Sequence, residues 1–362
     1  MVNPPSPFSD PEANSKRRNQ LFALDENVRS FITSCGPKVR TMLIADEVHN
    51  LGVSSFLDNP PERFDARLGL SATPVRQYDP AGTARLFGFF GGEIFEFALS
   101  DAIQTGCLVP YDYHLHEVQL GDEEMDRYVD LTDKLRRAGF QADDDGFERK
   151  LDDKIKALLR DRRSVLEHAD EKLARLGDLL MAVGPQNVGK TLIYASGKKP
   201  PPYAGRQIDA VNHLLNDLRI SFHQFTSAET VQADSGRYLE SFAAGDYQVL
   251  TAMKVLDEGI DLPQTDVAFL LSSSTVRREW VQRRGRILRT APGKHSATLH
   301  DFLVLPPSLE TAEGRAILRG ELSRANEFAS LAQNEFDSSG PRAAVISKYE
   351  DRLWVGGPHA VN

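Results

Sequence analysis

The chain has 362 residues, of which 41% are hydrophobic and 26% are charged, and its formal net charge is −9. This length predicts two domains, the composition excludes a globally disordered chain, and the acidic balance argues against a histone-like protein that binds nucleic acid with its whole surface. The sequence lacks a membrane-spanning apolar run and a secretory signal, and two cysteines, Cys35 and Cys107, are too few for a disulfide framework, so we expect a cytoplasmic protein.

Short apolar runs that end in polar residues predict the strands of a parallel α/β sheet. Residues 41–45 form such a run and end in Asp46-Glu47, and residues 67–70 form a second that ends in Ser71-Ala72-Thr73-Pro74. The carboxyl ends of parallel strands are where α/β proteins bind ligands. These two turns are therefore the first candidate site.

The middle of the chain, residues 122–176, is dense in charged side chains at helical spacing, which predicts a helical connector with a solvated face. The alternation of strands and helices returns at about residue 188, where a helix with one apolar face is expected over 208–218. Further strands are expected at 191–195, 249–252, 267–271 and 298–304, and a last helix over 309–334. This order predicts a parallel sheet with helices on both faces.

The acidic turn has the residue types of a phosphoryl-transfer site. Asp46 would hold Mg²⁺ on nucleotide phosphates, while Glu47 would orient and deprotonate a water molecule. Ser71 and Thr73 would hydrogen-bond to this turn and couple it to neighbouring helices. Ordinary turns after strands, or an N-cap, are the alternatives at both places.

The strongest local charge lies within residues 277–294, which hold seven basic residues and one acidic residue. If this segment is helical, Arg286 and Arg289 share one face and can clamp a phosphate. A solvated basic helix is the alternative. In the preceding loop, residues 257–263, Gly259 would allow close backbone approach and Asp261 would orient an arginine or a ribose, unless this is an ordinary glycine-containing loop.

Two other patterns are set aside. Residues 184–191 satisfy the phosphate-loop pattern G-x-x-x-x-G-K-[ST], but a helix precedes them and a strand follows, the reverse of the order that such a loop requires, and Pro185 removes one amide. His114 and His116 alternate along an expected strand at 111–118. No third ligand is apparent near them, so we expect side chains that face solvent rather than a metal site.

Together, the motifs resemble those of superfamily 2 DEAD/DEAH-box helicases, in the branch of restriction-enzyme R subunits and repair helicases. Leu43-Ile44-Ala45-Asp46-Glu47-Val48-His49 resembles motif II, and Gly69-Leu70-Ser71-Ala72-Thr73-Pro74 resembles motif III. Residues 191–196, 249–263 and 282–289 resemble motifs IV, V and VI, in the family's order.

The resemblance implies two RecA-like lobes that bind ATP and Mg²⁺ between them and a nucleic-acid strand, in this branch DNA, across both. It makes Asp46 and Glu47 the residues for Mg²⁺ and water, and Arg286 and Arg289 the arginine fingers. The remaining residues that it implicates fall into three groups. Coupling would involve His49, Ser71, Thr73 and Gln282; cofactor binding would involve Gly259 and Asp261; nucleic-acid contact would involve Ser196, Thr251 and Lys254.

One part of the family pattern is missing, since residues 1–45 hold no glycine-rich Lys-Ser/Thr loop after a strand. We therefore expect an incomplete first lobe over 1–112, a connector over 113–184, a complete second lobe over 185–306 and a helical tail over 307–362. Residues 1–110 would be poorly stable alone, whereas 185–306 would fold independently. The first hypothesis is an ATP-dependent helicase or translocase truncated at its N-terminus, with a variant in which a second polypeptide supplies the missing half. The alternative is a non-hydrolytic nucleic-acid-binding or regulatory subunit.

Overall fold

The computed structural model describes residues 34, 39–58, 60, 64–75, 79–140, 153–197, 205–225, 235–253, 264–272 and 277–355. They belong to two compact units, the first ending at Glu96 and the second beginning at Phe97.

The first unit contains a two-stranded parallel sheet of β1 (Met42–Ala45) and β2 (Ala66–Gly69). Its helices are the short α1 (Ser54–Leu57) and the longer α2 (Pro80–Phe90). Asp79 caps α2 by accepting a hydrogen bond from Gly82 N at 2.8 Å, and Pro80 occupies the first turn, where its missing N–H is tolerated.

The apolar run of β1 is buried on one side only. Ala45 packs with Val48 and Leu86 in a small core, whereas Met42 and Ile44 are 52% and 62% exposed. The expectation of a fully buried strand is therefore wrong for β1. The reason is local, because among the described residues β1 pairs with β2 alone and packs on one layer of helix.

The second unit contains a six-stranded sheet in the order β3-β8-β7-β4-β6-β5, and every neighbouring pair is parallel. The predicted parallel α/β fold is therefore confirmed. Its strands are β3 (Tyr111–Gln119), β4 (Thr191–Tyr194), β5 (Phe222–Phe225), β6 (Val249–Ala252), β7 (Val267–Leu270) and β8 (Ala297–Leu305).

Helices cover both faces of this sheet. One core includes Tyr113, Tyr194 and Phe328, and the other includes Leu176, Val211 and Phe302. The helices of this unit are α3 (Leu99–Gln104), α4 (Asp122–Arg137), α5 (Asp153–Glu167), α6 (Glu171–Val183), α7 (Gln207–Asp217), α8 (Ser235–Ala244), α9 (Arg277–Ile287), α10 (Ala312–Ala329) and α11 (Ser347–Val355).

The division of the chain differs from the expected one. Strand β3, which the expected boundaries place in the connector, pairs with β8 over nine residues, from Tyr111↔Ala297 to Gln119↔Leu305. Helices α4 and α6, from the expected connector, pack on the core that contains Val211. Helices α10 and α11, from the expected tail, pack on the core that contains Tyr194. The segment 185–306 therefore lacks one strand and part of both helical layers of its own unit.

Candidate functional site

The acidic turn at the end of β1 has a strained backbone. Glu47 adopts φ 46° and ψ 48°, the left-handed region that a residue with a side chain rarely occupies. Its N–H donates to Asp46 Oδ1 at 2.8 Å, and the N–H of Val48 donates to Leu70 O at 2.9 Å. The turn is thereby tied to the end of β2, with the carboxylate of Asp46 exposed.

A line of polar contacts links the acidic turn to the end of β2. The buried His49 places Nδ1 2.8 Å from Ser71 Oγ and 3.3 Å from Glu47 Oε2. Ser71 Oγ in turn accepts the N–H of Thr73 at 3.1 Å. Of the residues predicted for this turn, Glu47, His49, Ser71 and Thr73 thus lie in one connected series. A change at Glu47 can reach the backbone after β2 through these contacts.

The carboxylates of this turn fit a magnesium ion bound together with phosphates. Mg²⁺ prefers hard oxygen ligands and usually takes one or two carboxylates, with phosphate and water oxygens completing its octahedron. Asp46 and Glu47 offer that number. Among the described residues, no group of three or more His, Cys, Asp or Glu side chains could hold a metal ion by itself.

Three of the seven basic residues in the charged segment support the fold. Arg283 donates to Ser272 O and lies over the Tyr194 ring at 5.1 Å. Arg284 donates to Glu327 O at 2.9 Å, and Lys294 donates to Ile287 O. All three are buried. The alternative of a solvated basic helix therefore does not hold at these three positions, because their side chains donate to backbone carbonyls inside the unit.

Arg286 and Arg289 do not share a helix face. Helix α9 ends at Ile287, so Arg286 lies in its last turn and Arg289 lies beyond it, in an isolated antiparallel bridge with Leu108. The N–H of Val109 also donates to Leu288 O at 2.8 Å, while the N–H of Arg289 donates to Arg286 O at 3.3 Å. Both arginines are half-buried, as is Gln282 on α9.

The carboxyl end of the six-stranded sheet has a switch point between β4 and β7. The helix that follows β4, α7, packs in the core with Val211, whereas the helix that follows β7, α9, packs Ile287 in the other core. Strands whose following helices go to opposite faces leave a crevice at their carboxyl ends, where open α/β sheets bind ligands. Ser196 lies beside this point, with its N–H bonded to Gln207 Oε1 at 2.9 Å.

Thr251 does not reach the surface. Its side chain is fully buried in β6, and its hydroxyl donates to Asn212 Oδ1 at 2.8 Å. In this structure Thr251 is not exposed for the predicted contact with nucleic acid, because the helix α7, which carries Asn212, covers it. Lys254, Gly259 and Asp261 lie outside the described residues.

The phosphate-loop pattern at 184–191 lies at the amino edge of the sheet. Gly184 ends α6 with φ 85°, and β4 begins at Thr191. The loop presents carbonyl oxygens inward, since Gln248 Nε2 donates to Pro185 O and Val188 O, both at 2.8 Å. This geometry agrees with rejecting it as a phosphate site.

The two predicted solvent-facing histidines belong to a stacked cluster. The register of β3 on β8 places His114 beside His300, a third histidine that the sequence reasoning missed. The His300 ring stacks on both His114 and His116 at 5.2 Å and on Phe269 at 4.5 Å. Burial lowers the pKa of His116 to about 4 and that of His300 to about 3, so both are neutral at pH 7.

No helix among the residues the structure covers is both long and apolar enough to cross a bilayer.

Residues 171–291 match the family described as the helicase conserved C-terminal domain. The chain is 26% identical over 263 residues to the DNA 3'-5' translocase XPB2 of Sulfurisphaera tokodaii, which covers 68% of this chain and 55% of that protein. It is also 26% identical over 260 residues to the DNA 3'-5' helicase XPB of Kineococcus radiotolerans, covering 72% of this chain and 39% of the relative. The chain thus spans about half the length, or less, of these curated relatives.

Two solved structures are similar. The Hef helicase domain of Pyrococcus furiosus matches with a TM-score of 0.43 and 13% identity, covering 83% of this chain and 79% of that one. The ATP-dependent Type ISP restriction-modification enzyme LlaBIII bound to DNA matches with a TM-score of 0.49 and 16% identity, covering 94% of this chain and 25% of that one.

Proposed function

We propose that this chain is a superfamily 2 helicase or translocase that acts in ATP-dependent movement along DNA; the match of residues 171–291 to the helicase conserved C-terminal domain and the similarity to the XPB relatives support this proposal. DNA is proposed over RNA because the names of the relatives specify DNA. The proposed compartment, a reducing cytoplasm, rests on the low cysteine content.

The observation that carries the proposal is the series of contacts from Glu47 through His49 and Ser71 to Thr73. A molecular motor needs a group that activates water and a connection from that group to a second structural element. Here the carboxylate and the end of β2 are joined by side chains only 2.8–3.3 Å apart. The strained backbone of Glu47 supports a functional role, because such strain concentrates at functional sites.

ATP with Mg²⁺ would supply the phosphoryl group whose transfer to water drives the movement. In this proposal Asp46 and Glu47 would hold the ion, and the Glu47 carboxylate would orient a water molecule and accept its proton. His49 keeps the Glu47 side chain in position and passes its displacement to Ser71. Arg286 and Arg289 stabilise the negative charge that develops on the phosphates, and Gln282 takes part in coupling.

DNA binding is proposed at the carboxyl end of the six-stranded sheet, near Ser196; Lys254, which lies outside the described residues, is kept as a proposed DNA contact. Contact with the phosphate backbone is expected to dominate, so that affinity falls steeply with salt and depends little on base sequence.

The decisive experiment is steady-state ATP hydrolysis by the full chain, with and without single- and double-stranded DNA. Glu47→Gln should lower DNA-stimulated turnover by about 100-fold or more, because loss of a general base removes that order of catalysis. Arg286→Ala should lower it by a similar factor, since it removes charge stabilisation of the transferred group.

The matched controls replace a glutamate and an arginine that lie outside the candidate site. Glu123 and Arg319 are exposed on α4 and α10, so Glu123→Gln and Arg319→Ala should hydrolyse ATP like the unaltered chain. DNA binding without any turnover would instead favour the non-hydrolytic, nucleic-acid-binding alternative. Equal turnover in Glu47→Gln and the unaltered chain would refute the role of the acidic turn.

A further inference from the structure

Leu271 and Ser272 follow the last residue of β7. The backbone N–H and the carbonyl of both residues are hydrogen-bonded. The N–H groups of Leu271 and Ser272 both donate to Tyr194 O on β4, at 3.0 and 3.1 Å. The carbonyl of Leu271 accepts from Lys172 Nζ at 2.9 Å, and the carbonyl of Ser272 accepts from Arg283. These four hydrogen bonds therefore hold the backbone of Leu271 and Ser272 in one conformation.

The two cations approach from opposite faces of the sheet. Lys172 lies on α6, whose Leu176 packs in the core that contains Val211, while Arg283 lies on α9 and over Tyr194, which belongs to the other core. Both side chains are buried, with 2% and 4% of their surface exposed. The Lys172 ammonium donates to the carbonyl of Leu271, and the Arg283 guanidinium donates to the carbonyl of the next residue, Ser272.

A buried lysine is not explained by stability. Placing an ammonium group in the interior removes its hydration, and burial accordingly lowers the pKa of Lys172 to about 8. A methionine of similar volume would fill the same space without that penalty. What methionine cannot do is donate a hydrogen bond to Leu271 O.

The position of this bond matters because the chain leads from it into α9. Arg283 is itself on α9, and Arg286 follows three residues later, within one turn of the same helix. Because Arg283 bonds to Ser272 O, the backbone at Leu271 and Ser272 is tied directly to the turn of α9 that precedes Arg286.

We propose that Lys172 and Arg283 are positioning residues that hold the exit of β7 from both faces and thereby set the placement of Arg286. The consequence for turnover rests on the proposed ATPase function, whereas the consequence for the backbone does not. Removing the Lys172 ammonium should release Leu271 O and allow the turn and the first part of α9 to open locally.

Hydrogen exchange of the full chain, followed by mass spectrometry of peptides across 264–289, measures this opening without any ligand. In Lys172→Met, exchange of these peptides should be at least about 10-fold faster than in the unaltered chain, because Leu271 O loses its donor. Lys172→Arg keeps a charged donor and should restore most of the protection. Lys348→Met is the matched control, since Lys348 is an exposed lysine paired with Glu117 on another element.

Steady-state kinetics then tests the link to Arg286. Lys172→Met should lower kcat for ATP about 10-fold and leave KM within about two-fold, and Lys172→Arg should recover kcat. If the unaltered chain hydrolyses no ATP, the proposed function fails, but faster exchange in Lys172→Met would still support the positioning of the turn. Unaltered exchange across 264–289 in Lys172→Met would overturn the proposal, whatever the activity. If Lys172→Met does not fold, Lys172→Gln serves for the same comparison, because its shorter side chain stays polar but takes the ammonium group away from Leu271 O.

Discussion

The side-chain amide of Asn334 pairs with the backbone of Tyr113 as a strand would. Asn334 Oδ1 accepts the N–H of Tyr113 at 2.9 Å, and its Nδ2 donates to the carbonyl of Tyr113 at 3.1 Å. The N–H of Gln333 donates to Tyr111 O at 2.9 Å on the same side. Since β3 is the outer strand of the sheet, these bonds satisfy an edge that would otherwise be open to pairing with another chain.

Asn334→Ala should therefore destabilise the protein. The substitution leaves a buried N–H and a buried carbonyl of Tyr113 without their partner, which costs on the order of 1–3 kcal/mol of unfolding free energy. Urea denaturation followed by circular dichroism measures the loss. Asn216 is exposed on α7, and Asn216→Ala is the control that should unfold like the unaltered chain. Equal midpoints for the two variants would contradict the role of the edge bonds.

Arg284 is predicted to act through stability. Its guanidinium bonds to Glu327 O and lies 4.8 Å from the centre of the Phe328 ring, so it joins α9 to α10. Arg284→Ala should lower the free energy of unfolding by on the order of 2 kcal/mol, as expected when a buried hydrogen-bonded group is lost. Arg319→Ala, at an exposed position of α10, should change it by less than about 0.5 kcal/mol. A thermal melt in which both variants match the unaltered chain would show that Arg284 is not an anchor.

The histidine cluster predicts a loss of stability in acid. Burial lowers the pKa of His300 to about 3, below the value of about 6.5 in an unfolded chain, so between these values only the unfolded state binds the proton. Stability is then fully present above pH 6.5 and falls as the pH drops, by on the order of 1–2 kcal/mol for one such histidine at pH 5. Arg175, His114 and Asp301 are the other charged or titratable groups that act on this cluster.

His300→Phe should reduce that acid sensitivity while keeping the stacked arrangement. Urea midpoints at pH 7 and pH 5 provide the comparison. His295 is exposed, and His295→Gln should retain the full pH dependence. If His300→Phe loses as much stability between the two pH values as the unaltered chain, then His300 is not the group that titrates.

Lys172 predicts a gain of stability in mild alkali. Its pKa of about 8 in the folded state lies below the ordinary value of 10.5, so above pH 8 the folded state has released a proton that the unfolded state still holds. Stability should therefore rise between pH 8 and about 9.5, by on the order of 1–2 kcal/mol. Neither variant should show this rise in stability. Lys172→Met has no titratable group at the position, and arginine in Lys172→Arg does not titrate in this range. Parallel pH curves for the unaltered chain and Lys172→Met would disprove the prediction.

The boundaries of the second unit predict which fragment folds. Residues 97–362 include β3, the helices of the connector and α10, and should unfold cooperatively as an isolated fragment. Residues 185–306 alone lack β3 beside β8 and Phe328 over the core, so we now expect this shorter fragment to aggregate or remain partly unfolded. Thermal melts of the two purified fragments measure the difference. A sharp melt of 185–306 would instead support the expectation from sequence that this segment folds independently.

The sequence by itself determined the parallel α/β class, the resemblance to superfamily 2 helicases and the strands that precede the candidate site. Those signals are local, because an apolar run that ends in Asp46-Glu47, or residues 208–218 with one apolar face, is visible without any other part of the chain. The motif order from residue 43 to residue 289 depends only on position along the chain.

Only the tertiary structure shows which of the basic side chains are buried and bonded within the fold. Arg283 and Arg284 resemble their neighbour Arg286 in sequence. Arg283, however, donates to the carbonyl of Ser272, just after β7, and Arg284 donates to the carbonyl of Glu327 on α10. In the same way, His300 joins His114 only through the register of two strands that lie 186 positions apart in the chain. The physical reason is that hydrogen bonding and burial of polar groups depend on packing between distant elements, whereas hydrophobic periodicity and motif spacing are properties of the local chain.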